Sequence, residues 1–284
     1  MLALVSAREA RELDEDLPLL TAALNTRAIR HRVVDWDDAA IDWTQFAAAV
    51  IRSTWDYTDR LDEYLDWSTR AAAHTRLFNP PDVVRWNTHK RYLIELSAKG
   101  VPVVPTSLIA VGVQIPDFDD AEVVVKPAVG AGSRGARRFL KDEPGARAHA
   151  QMLQEARRDV LVQPYLNRVD AVGESSLLFF NGRYSHAIRK APLLCANADA
   201  TRALFAAERI AAREPGSDEH AVAAAVLAAL PFAEPLLYAR VDLLRDAGGA
   251  PVLLELELTE PSLFFAFAPG SAERFVDALL ERLA

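Results

Sequence analysis

The chain has 284 residues, of which 51% are hydrophobic and 25% are charged, a composition typical of a globular protein with two or three subdomains. Its formal net charge of −8 argues against a general nucleic-acid-binding protein, which needs an excess of Lys and Arg facing phosphates. No apolar run reaches the roughly 18 residues of a membrane span. The single cysteine, Cys195, excludes an internal disulfide and fits a reducing, cytoplasmic location.

The amino-terminal part alternates between strand-like and helix-like patterns. Apolar residues at helical spacing, from Leu13 to Leu24, predict a helix within residues 8–26. Strands are predicted at 2–5, 31–34 and 46–51, and further helices at 60–74 and 87–98, the last one ended by Gly100. Residues 1–100 therefore predict an α/β amino-terminal domain.

The pattern changes after this domain. Short β-like runs around one helix at 144–157 predict a small α+β lid subdomain over residues 101–165. Residues 166–284 predict a carboxy-terminal domain. It is expected to contain two strands about the Asn181-Gly182 turn, helices at 195–213 and 221–230, a hairpin, and a final helix from Ala272.

A glycine-rich loop follows a buried-type strand in the predicted lid. Lys126 ends this strand, and Gly130, Gly132 and Ser133 come shortly after it. Glycines let backbone N–H groups approach an anion, and a lysine adds a point charge for phosphate oxygens. The loop lacks the P-loop pattern. We interpret it as a phosphate-binding loop of the lid, and the alternative interpretation is an ordinary hairpin turn.

The hairpin near the carboxyl end carries three acidic residues. Asp242 closes one β-rich run, Glu255 and Glu257 lie in the next, and period two puts both glutamates on one face. Three converging carboxylates repel unless a cation lies between them, and oxygen ligands suit Mg²⁺ that carries a nucleotide phosphate. An exposed hairpin with a solvated acidic face is the alternative.

The order of these parts resembles the ATP-grasp ligases, which hold their nucleotide between a small lid and a carboxy-terminal nucleotide and metal domain. The resemblance implies ATP and Mg²⁺ as cofactors, with Lys90 and Lys126 on the phosphates and Glu174 on the ribose or the metal. It implies that Asp242, Glu255 and Glu257 bind the metal, with Glu257 standing where the family commonly has Asn. The adenine-reading hinge would comprise Gln163, Pro164, Tyr165 and Leu166.

Longer segments resemble one branch of that superfamily, the O-ureido-serine cyclo-ligases. These segments are residues 51–57, 85–93, 185–190 and 255–264. The resemblance implies that ATP activates a substrate carboxylate as an acyl phosphate, after which a nitrogen of the same molecule closes the ring and the carbamoyl group is lost. O-ureido-D-serine would thereby give D-cycloserine. Intramolecular attack mainly requires a folded substrate pose and no protein nucleophile.

Several residues are candidates for contact with the substrate. Arg52, at the carboxyl end of a strand, is expected to hold the substrate carboxylate, with Ser53 and Thr54 donating hydrogen bonds. Glu260 is expected to bind the amino group, with Ser262 beside it. The alternatives are a surface arginine at Arg52 and a turn cap at Glu260.

Two basic residues are candidates for catalysis. Arg189, at the end of a strand, is expected to stabilise the transferring phosphoryl group together with Lys126, which already contacts the phosphates. A structural ion pair is the alternative for Arg189.

Two other function classes stay open. One is an ATP-dependent ligase that joins another amino acid or a peptide to a separate amine. The other is a nucleotide-binding protein without ligase activity, against which the intact set of Lys126, Asp242, Glu255 and Arg189 argues. The expected partner is a small amino-acid-like molecule, not nucleic acid or membrane, and a homo-oligomer is compatible with the sequence.

Overall fold

The computed structural model describes residues 1–118, 120–140, 144–194 and 209–284 of the chain. Most of the helix predicted at 195–213 lies outside these ranges. No helix in the described part of the chain combines the length and apolar character needed to cross a bilayer.

A four-stranded parallel sheet organises the amino-terminal part, in the strand order β2-β1-β3-β4. The strands are β1 (Leu2–Ser6), β2 (His31–Asp35), β3 (Ala48–Ile51) and β4 (Arg76–Phe78). The helices are α1 (Asp16–Thr26), α2 (Leu61–Ala72), α3 (Pro81–Asn87) and α4 (Tyr92–Ala98). Every residue of β1 and β3 is buried, as expected for central strands of a parallel sheet covered on both faces. This agrees with the predicted α/β character.

Two helices differ from their predicted bounds for local reasons. Helix α1 begins at Asp16, because Asp14 Oδ1 accepts the N–H groups of Asp16 and Leu17 at 3.0 and 3.1 Å. The prediction of one helix at 87–98 is wrong, since α3 ends at Asn87 and α4 begins at Tyr92. In the break between them, the N–H of Lys90 bonds Ala128 O at 2.8 Å, which ties this lysine to the glycine-rich loop.

A four-stranded antiparallel sheet forms the central part, in the order β5-β8-β6-β7. Its strands are β5 (Ser107–Ile109), β6 (Glu122–Pro127), β7 (Arg137–Leu140) and β8 (Val160–Pro164), and its helix is α5 (Pro144–Glu155). Val125, Phe139, Ala150 and Val160 belong to one buried cluster, so α5 packs on one face of this sheet. The other face is left for the pocket described below.

A five-stranded antiparallel sheet forms the carboxy-terminal part, in the order β11-β10-β9-β12-β13. Its strands are β9 (Glu174–Phe180), β10 (Arg183–Lys190), β11 (Ile210–Arg213), β12 (Tyr238–Arg245) and β13 (Pro251–Glu257). The helices are α6 (Val169–Val172), α7 (Ser217–Ala228) and α8 (Ser271–Leu283). Helix was wrongly predicted for residues 210–213, because pairing with the edge of β10 overrides the helical preference of an alanine-rich stretch.

One buried cluster joins the first and third sheets. Leu4 and Leu20 of the amino-terminal part pack in the same cluster as Leu178 and Phe275 of the carboxy-terminal part. Each sheet takes its strands from one stretch of chain, while the domain limits 1–100, 101–165 and 166–284 stay a prediction. The shared core fixes the amino-terminal part against the sheet that carries the acidic hairpin.

Candidate active site

A cavity of about 460 Å³ lies where the three parts meet, within the usual size range of small-molecule sites. The structure brings all of the predicted nucleotide and metal residues to its wall. These are Lys90, Lys126, Gly130, Gly132, Ser133, Gln163, Pro164, Tyr165, Leu166, Glu174, Asp242, Glu255 and Glu257. Two predicted substrate residues, Glu260 and Ser262, also line it.

The glycine-rich loop forms one side of the cavity, between β6 and β7. Gly132, Ser133 and Gly135 all have positive φ, at 59°, 58° and 77°. A side chain at Gly135 would come within 3.2 Å of the Pro127 ring, so glycine is required there for both conformation and space. His149 Nε2 holds the loop from behind through Gly135 O at 2.8 Å. The loop is thus a tight, supported turn facing the cavity.

Two lysines lie beside this loop. Lys90 Nζ bonds Gly130 O at 2.6 Å and Glu255 Oε1 at 3.0 Å. Burial lowers the pKa of Lys126, and the nearby Glu255 charge offsets this only in part, while the Lys90 charge adds to it. A bound anion would offset the cost of burying both cations, so this corner suits phosphate.

The opposite end of the cavity is mostly apolar. Its wall includes the aliphatic side chains of Val124, Leu166, Val169, Leu244 and Leu254. The predicted hinge runs along it. Gln163 turns its side-chain amide away to Thr106 Oγ1 at 2.9 Å, and Arg138 stacks 3.5 Å from the centre of the Tyr165 ring. The result is a slot that suits a planar heterocycle and offers it main-chain groups.

The acidic hairpin forms the floor of the cavity. In the register of β12 and β13, Asp242 lies opposite Glu255 and Arg240 lies opposite Glu257. Arg240 donates to both oxygens of Asp242, with Nε 3.0 Å from Oδ1 and Nη2 2.9 Å from Oδ2, and also bonds Glu257. Lys190 Nζ lies 2.9 Å from Glu174 Oε1 and 3.4 Å from Asp242 Oδ2. Cations and carboxylates therefore alternate across the floor.

This alternation separates the pKa values of the carboxyl groups. Burial disfavours the charge on Asp242, but Arg240 and Lys190 outweigh it and lower the pKa of Asp242 to about 2. Burial raises the pKa of Glu257 to about 8. The Arg240 charge lowers this pKa, but the negative charges of Asp242 and Glu255 raise it again. Asp242 is therefore ionised at neutral pH, while Glu257 is protonated more readily.

A metal ion was predicted between the three carboxylates because it would relieve their repulsion, and in the structure Lys90, Lys190 and Arg240 also relieve it. Within the described ranges, no group of three His, Cys, Asp or Glu side chains is placed to hold a metal ion by itself. Asp242 and Glu255 nevertheless present oxygen atoms from paired strands to the same cavity. Mg²⁺ is usually held by one or two carboxylates together with substrate phosphates, so the oxygen donors here fit a magnesium–nucleotide unit.

Arg189 does not reach the cavity, which corrects its predicted role. Its guanidinium bonds the carbonyls of Val172 and Ala171 at 2.5 and 3.3 Å, outside the cavity wall. An ideal two-residue hairpin at Asn181-Gly182 would pair Glu174 with Arg189. A bulge between Tyr184 and His186 shifts the register by one residue, so that Lys190 pairs with Glu174 instead.

Two cations of the cavity floor, Lys190 and Arg240, were not among the predicted site residues, although Arg240 stands two residues before Asp242. Period two along β12 puts these two side chains on the same face, and this signal was available from the sequence. Nothing in the sequence pattern marks the bulge that brings in Lys190.

Arg52, Ser53 and Thr54 are buried and do not line the cavity, which corrects their predicted contact with substrate. Arg52 Nη2 bonds Pro261 O at 3.0 Å, Ser53 Oγ lies 2.8 Å from Ser6 Oγ, and Thr54 Oγ1 lies 2.8 Å from Tyr64 Oη. The reason is that the chain after β3 packs under the loop that follows β13. Only Trp55 of this run reaches the cavity.

Glu260 and Ser262 lie at the end of the cavity that is formed partly by Trp55. Glu260 is buried, and burial raises the pKa of its carboxyl group to about 7, although a hydrogen bond from Tyr57 works in the other direction. A buried carboxyl group at a cavity wall is suited to a cationic ligand group, since an ammonium would restore its charge.

The chain is similar to known proteins along its full length. Residues 2–79 match the family described as D-cycloserine synthetase DcsG, N-terminal domain. The whole chain aligns with 99% of the cycloserine biosynthesis protein DcsG of Streptomyces lavendulae, at 41% identity over 298 aligned positions. It is equally similar to a crystal structure of D-cycloserine synthetase DcsG, with a TM-score of 0.90 and 40% identity over 100% of this chain and 99% of that one.

A more distant likeness concerns the fold alone. The ATP-grasp ligase PsnB, solved with a phosphomimetic variant of its minimal precursor, Mg and ADP, has a TM-score of 0.65 at 17% identity, over 100% of this chain and 98% of that one. The three-part architecture is therefore the ATP-grasp fold, as the sequence predicted. With 41% identity along its full length to a curated relative, the chain belongs to the D-cycloserine synthetase DcsG family.

Proposed function

We propose that the protein is an ATP-dependent cyclo-ligase that converts O-ureido-D-serine to D-cycloserine. The observation that carries this proposal is the cavity, where Lys90 and Lys126 beside the glycine-rich loop and Lys190 and Arg240 on the floor meet the carboxylates of β12 and β13. Four cations around a pocket in a chain of negative net charge suit a polyphosphate ligand. The full-length similarity to D-cycloserine synthetase DcsG supports the choice of substrate.

The nucleotide would lie along the cavity from the apolar slot to the floor. Adenine would contact main-chain groups of residues 163–166, and Glu174 would approach the ribose or the metal. Lys90, Lys126 and the N–H groups of Gly130, Gly132 and Ser133 would bind the phosphates. Asp242 and Glu255, with Glu257 beside them, would hold Mg²⁺, which neutralises phosphate charge and orients the γ-phosphoryl group.

The reaction would start with transfer of the γ-phosphoryl group to an oxygen of the substrate carboxylate, giving an acyl phosphate and ADP. Arg240 and Lys190 stand where they could offset the charge of the transferring group, taking over the role predicted for Arg189. The ureido nitrogen bonded to oxygen then attacks the acyl carbon, and phosphate leaves with the electrons of the broken C–O bond. Water finally adds to the carbamoyl carbon, and the bond from this carbon to the ring nitrogen breaks. The ring nitrogen takes up a proton, and the carbamoyl group leaves as carbamic acid, which gives CO₂ and NH₃.

The substrate would be held at its ammonium group. Glu260 lies in a buried position at the end of the cavity, so an ammonium placed there would be desolvated and paired at once. Ser262 can add a hydrogen bond, and Trp55 forms a wall. Holding both ends of a short amino acid favours the folded pose that ring closure needs. A cytoplasmic location and a homo-oligomer stay predictions.

The test is ADP release from Mg-ATP by the purified protein, with and without O-ureido-D-serine, while mass spectrometry follows the cyclic product. Substrate-dependent ADP together with D-cycloserine is the expected result. Lys126→Met should abolish both signals, whereas Lys99→Met, an exposed lysine outside the cavity, should leave both intact. ADP release that depends on a separate amine or peptide, without a cyclic product, would instead identify a carboxylate–amine ligase.

A further inference from the structure

The segment of residues 259–265, which follows β13, is held in an unusual way. Each of its first five carbonyl oxygens accepts a hydrogen bond from a side chain elsewhere in the protein. The donors are Tyr238 Oη to Thr259 O (3.0 Å), Trp55 Nε1 to Glu260 O (3.1 Å), Arg52 Nη2 to Pro261 O (3.0 Å), Arg240 Nη1 to Ser262 O (3.2 Å) and His186 Nε2 to Leu263 O (2.8 Å).

The N–H groups at the end of the segment are held by a single carboxylate. Asp16 Oδ2 accepts the N–H groups of Leu263 and Phe264 at 2.5 and 3.1 Å, and Oδ1 accepts that of Phe265 at 2.8 Å. Phe264 has a φ of 53°, which a bulky residue rarely adopts, so the surrounding contacts must impose this conformation. Asp16 bonds the residue itself and both of its neighbours.

This carboxylate is not needed for the helix that it begins. Asp14 already caps α1 by accepting the N–H groups of Asp16 and Leu17. Burial raises the pKa of Asp16, and the Arg52 guanidinium, whose Nη2 lies 3.9 Å from Asp16 Oδ2, works against that rise. A buried charge is costly unless it is paired and hydrogen-bonded, and the hydrogen bonds that the Asp16 carboxylate accepts in the described part of the chain all come from the 259–265 segment.

The pinned backbone determines which side chains face the cavity. Glu260, Ser262 and Phe264 line the cavity in alternation, as in an extended strand. The Phe264 ring lies 5.4 Å from the Arg240 guanidinium and 5.7 Å from Lys190 Nζ, and so it covers the two floor cations. The segment therefore joins the predicted ammonium site to the phosphoryl-transfer site with fixed spacing.

We infer that the 259–265 segment is a rigid wall of the substrate site, and that Asp16 and Arg52 are its positioning residues. The wall fixes the distance between the ammonium site and the phosphoryl-transfer site, and thereby selects amino-acid substrates of matching length. The inference rests on the proposed function, because it assigns the wall to the substrate of that reaction. Trp55, Arg52 and Asp16 come from the amino-terminal part, whereas Tyr238, Arg240 and His186 come from the carboxy-terminal sheet. Arg52 does not line the cavity and would act only through the position of the wall, whereas Asp16 and Trp55 line the cavity as well.

The test compares Asp16→Asn with Asp14→Asn in the full-length protein. Asparagine at position 16 keeps one oxygen but turns an NH₂ group toward backbone N–H groups, so at least one charge-assisted bond is lost. We expect KM for O-ureido-D-serine to rise about tenfold or more, with KM for ATP changed less than about twofold. Asp14→Asn keeps the accepting oxygen. The side-chain hydrogen bonds given for Asp14 go to the N–H groups of Asp16 and Leu17 and not to the wall, so this variant should leave both constants unchanged.

Arg52→Lys is a second variant, which keeps the positive charge but shortens the reach to Pro261 O. It should show the same selective rise in substrate KM. An equal rise in both KM values, or no change in the Asp16 and Arg52 variants, overturns the inference while the wild-type reaction still supports the proposed function. If the wild-type protein turns over another amino acid instead, the same comparison is made with that substrate. If no amino acid raises ADP release, the proposed function and this inference both fall.

Discussion

At the scale of single residues, the main feature of the cavity is its set of partly or fully buried ion pairs. Arg240 lies between Asp242 and Glu257, and Lys90 pairs with Glu255. Removing one partner from such a pair leaves the other charge buried and unpaired, which costs several kcal/mol. Conservative replacements are therefore the informative ones.

Asp242→Asn removes a charge from the proposed metal site while keeping the shape of the side chain. We expect turnover to fall by about a hundredfold or more, and Mg²⁺ affinity in the presence of ADP to fall by about tenfold or more. Isothermal titration with MgCl₂ and ADP checks the binding part independently of activity. Asp66→Asn on the exposed face of α2 is the matched control. Unchanged Mg²⁺ affinity in Asp242→Asn would remove this residue from the metal site.

Glu260 should make substrate binding depend on pH. Burial raises its pKa to about 7, so the free carboxyl group is neutral below that pH and charged above it. An ammonium binds the charged form, and kcat/KM for the amino-acid substrate should rise from about pH 6 to about pH 8. Glu260→Gln should have a lower and flatter profile over this range. A wild-type profile that stays in the variant would assign the ionisation to another group.

The sequence indicated which residue types take part in the site better than it indicated where their side chains point. Lys126, Asp242 and Glu255 stand out by type and spacing, and all three reach the cavity. Arg189 is displaced because one bulge in β10 reverses the faces of the residues that follow it. Arg52 was expected at the substrate, because the end of a parallel strand is a common ligand site, but packing against Pro261 was not visible in local sequence.

At the scale of elements, the glycine-rich loop depends on backbone conformation more than on side chains. Gly135 has a φ of 77° and Gly112, in a turn that does not line the cavity, has a φ of 82°. A Cβ at Gly135 would press on Pro127, whereas a Cβ at Gly112 meets nothing within 4 Å. Substitutions at these two positions therefore distinguish the effect of strain in the glycine-rich loop from the effect of the same backbone strain elsewhere in the protein.

Gly135→Ala should raise KM for ATP about fivefold, because distortion of the loop costs on the order of 1 kcal/mol in phosphate binding. Gly112→Ala places alanine at a similarly positive φ. It should lower the melting temperature about as much as Gly135→Ala does, but it should not change KM for ATP. Steady-state kinetics and thermal denaturation of both variants check this. If both variants bind ATP like the wild type, the loop does not contact the phosphates.

The regular elements were largely predictable, while their interruptions were not. The helices predicted at 144–157, at 221–230 and from Ala272 correspond to α5, α7 and α8, and the Asn181-Gly182 turn indicated the β9–β10 hairpin. The break between α3 and α4 was missed, since it is stabilised by the bond from Lys90 N–H to Ala128 O across the chain. Long-range hydrogen bonds of this kind leave no local pattern.

At the scale of the whole molecule, charge is distributed unevenly. The chain has 40 acidic against 32 basic residues, yet Lys90, Lys126, Lys190 and Arg240 collect around one cavity. This arrangement suits local binding of the nucleotide proposed above, in a chain whose overall charge is negative. Composition alone argued against a general nucleic-acid binder, but only the meeting of three sheets brings these four cations together, among the carboxylates that also line the cavity.

The central claim is that this site activates a substrate carboxylate by phosphoryl transfer. O-ureido-D-serine with both carboxylate oxygens labelled as ¹⁸O tests it most directly, with mass spectrometry of the phosphate and the cyclic product. One ¹⁸O atom should appear in inorganic phosphate and the other in the carbonyl group of D-cycloserine, because the C–O bond of an acyl phosphate breaks during ring closure. Unlabelled phosphate, with both ¹⁸O atoms left on the amino acid, would contradict the account.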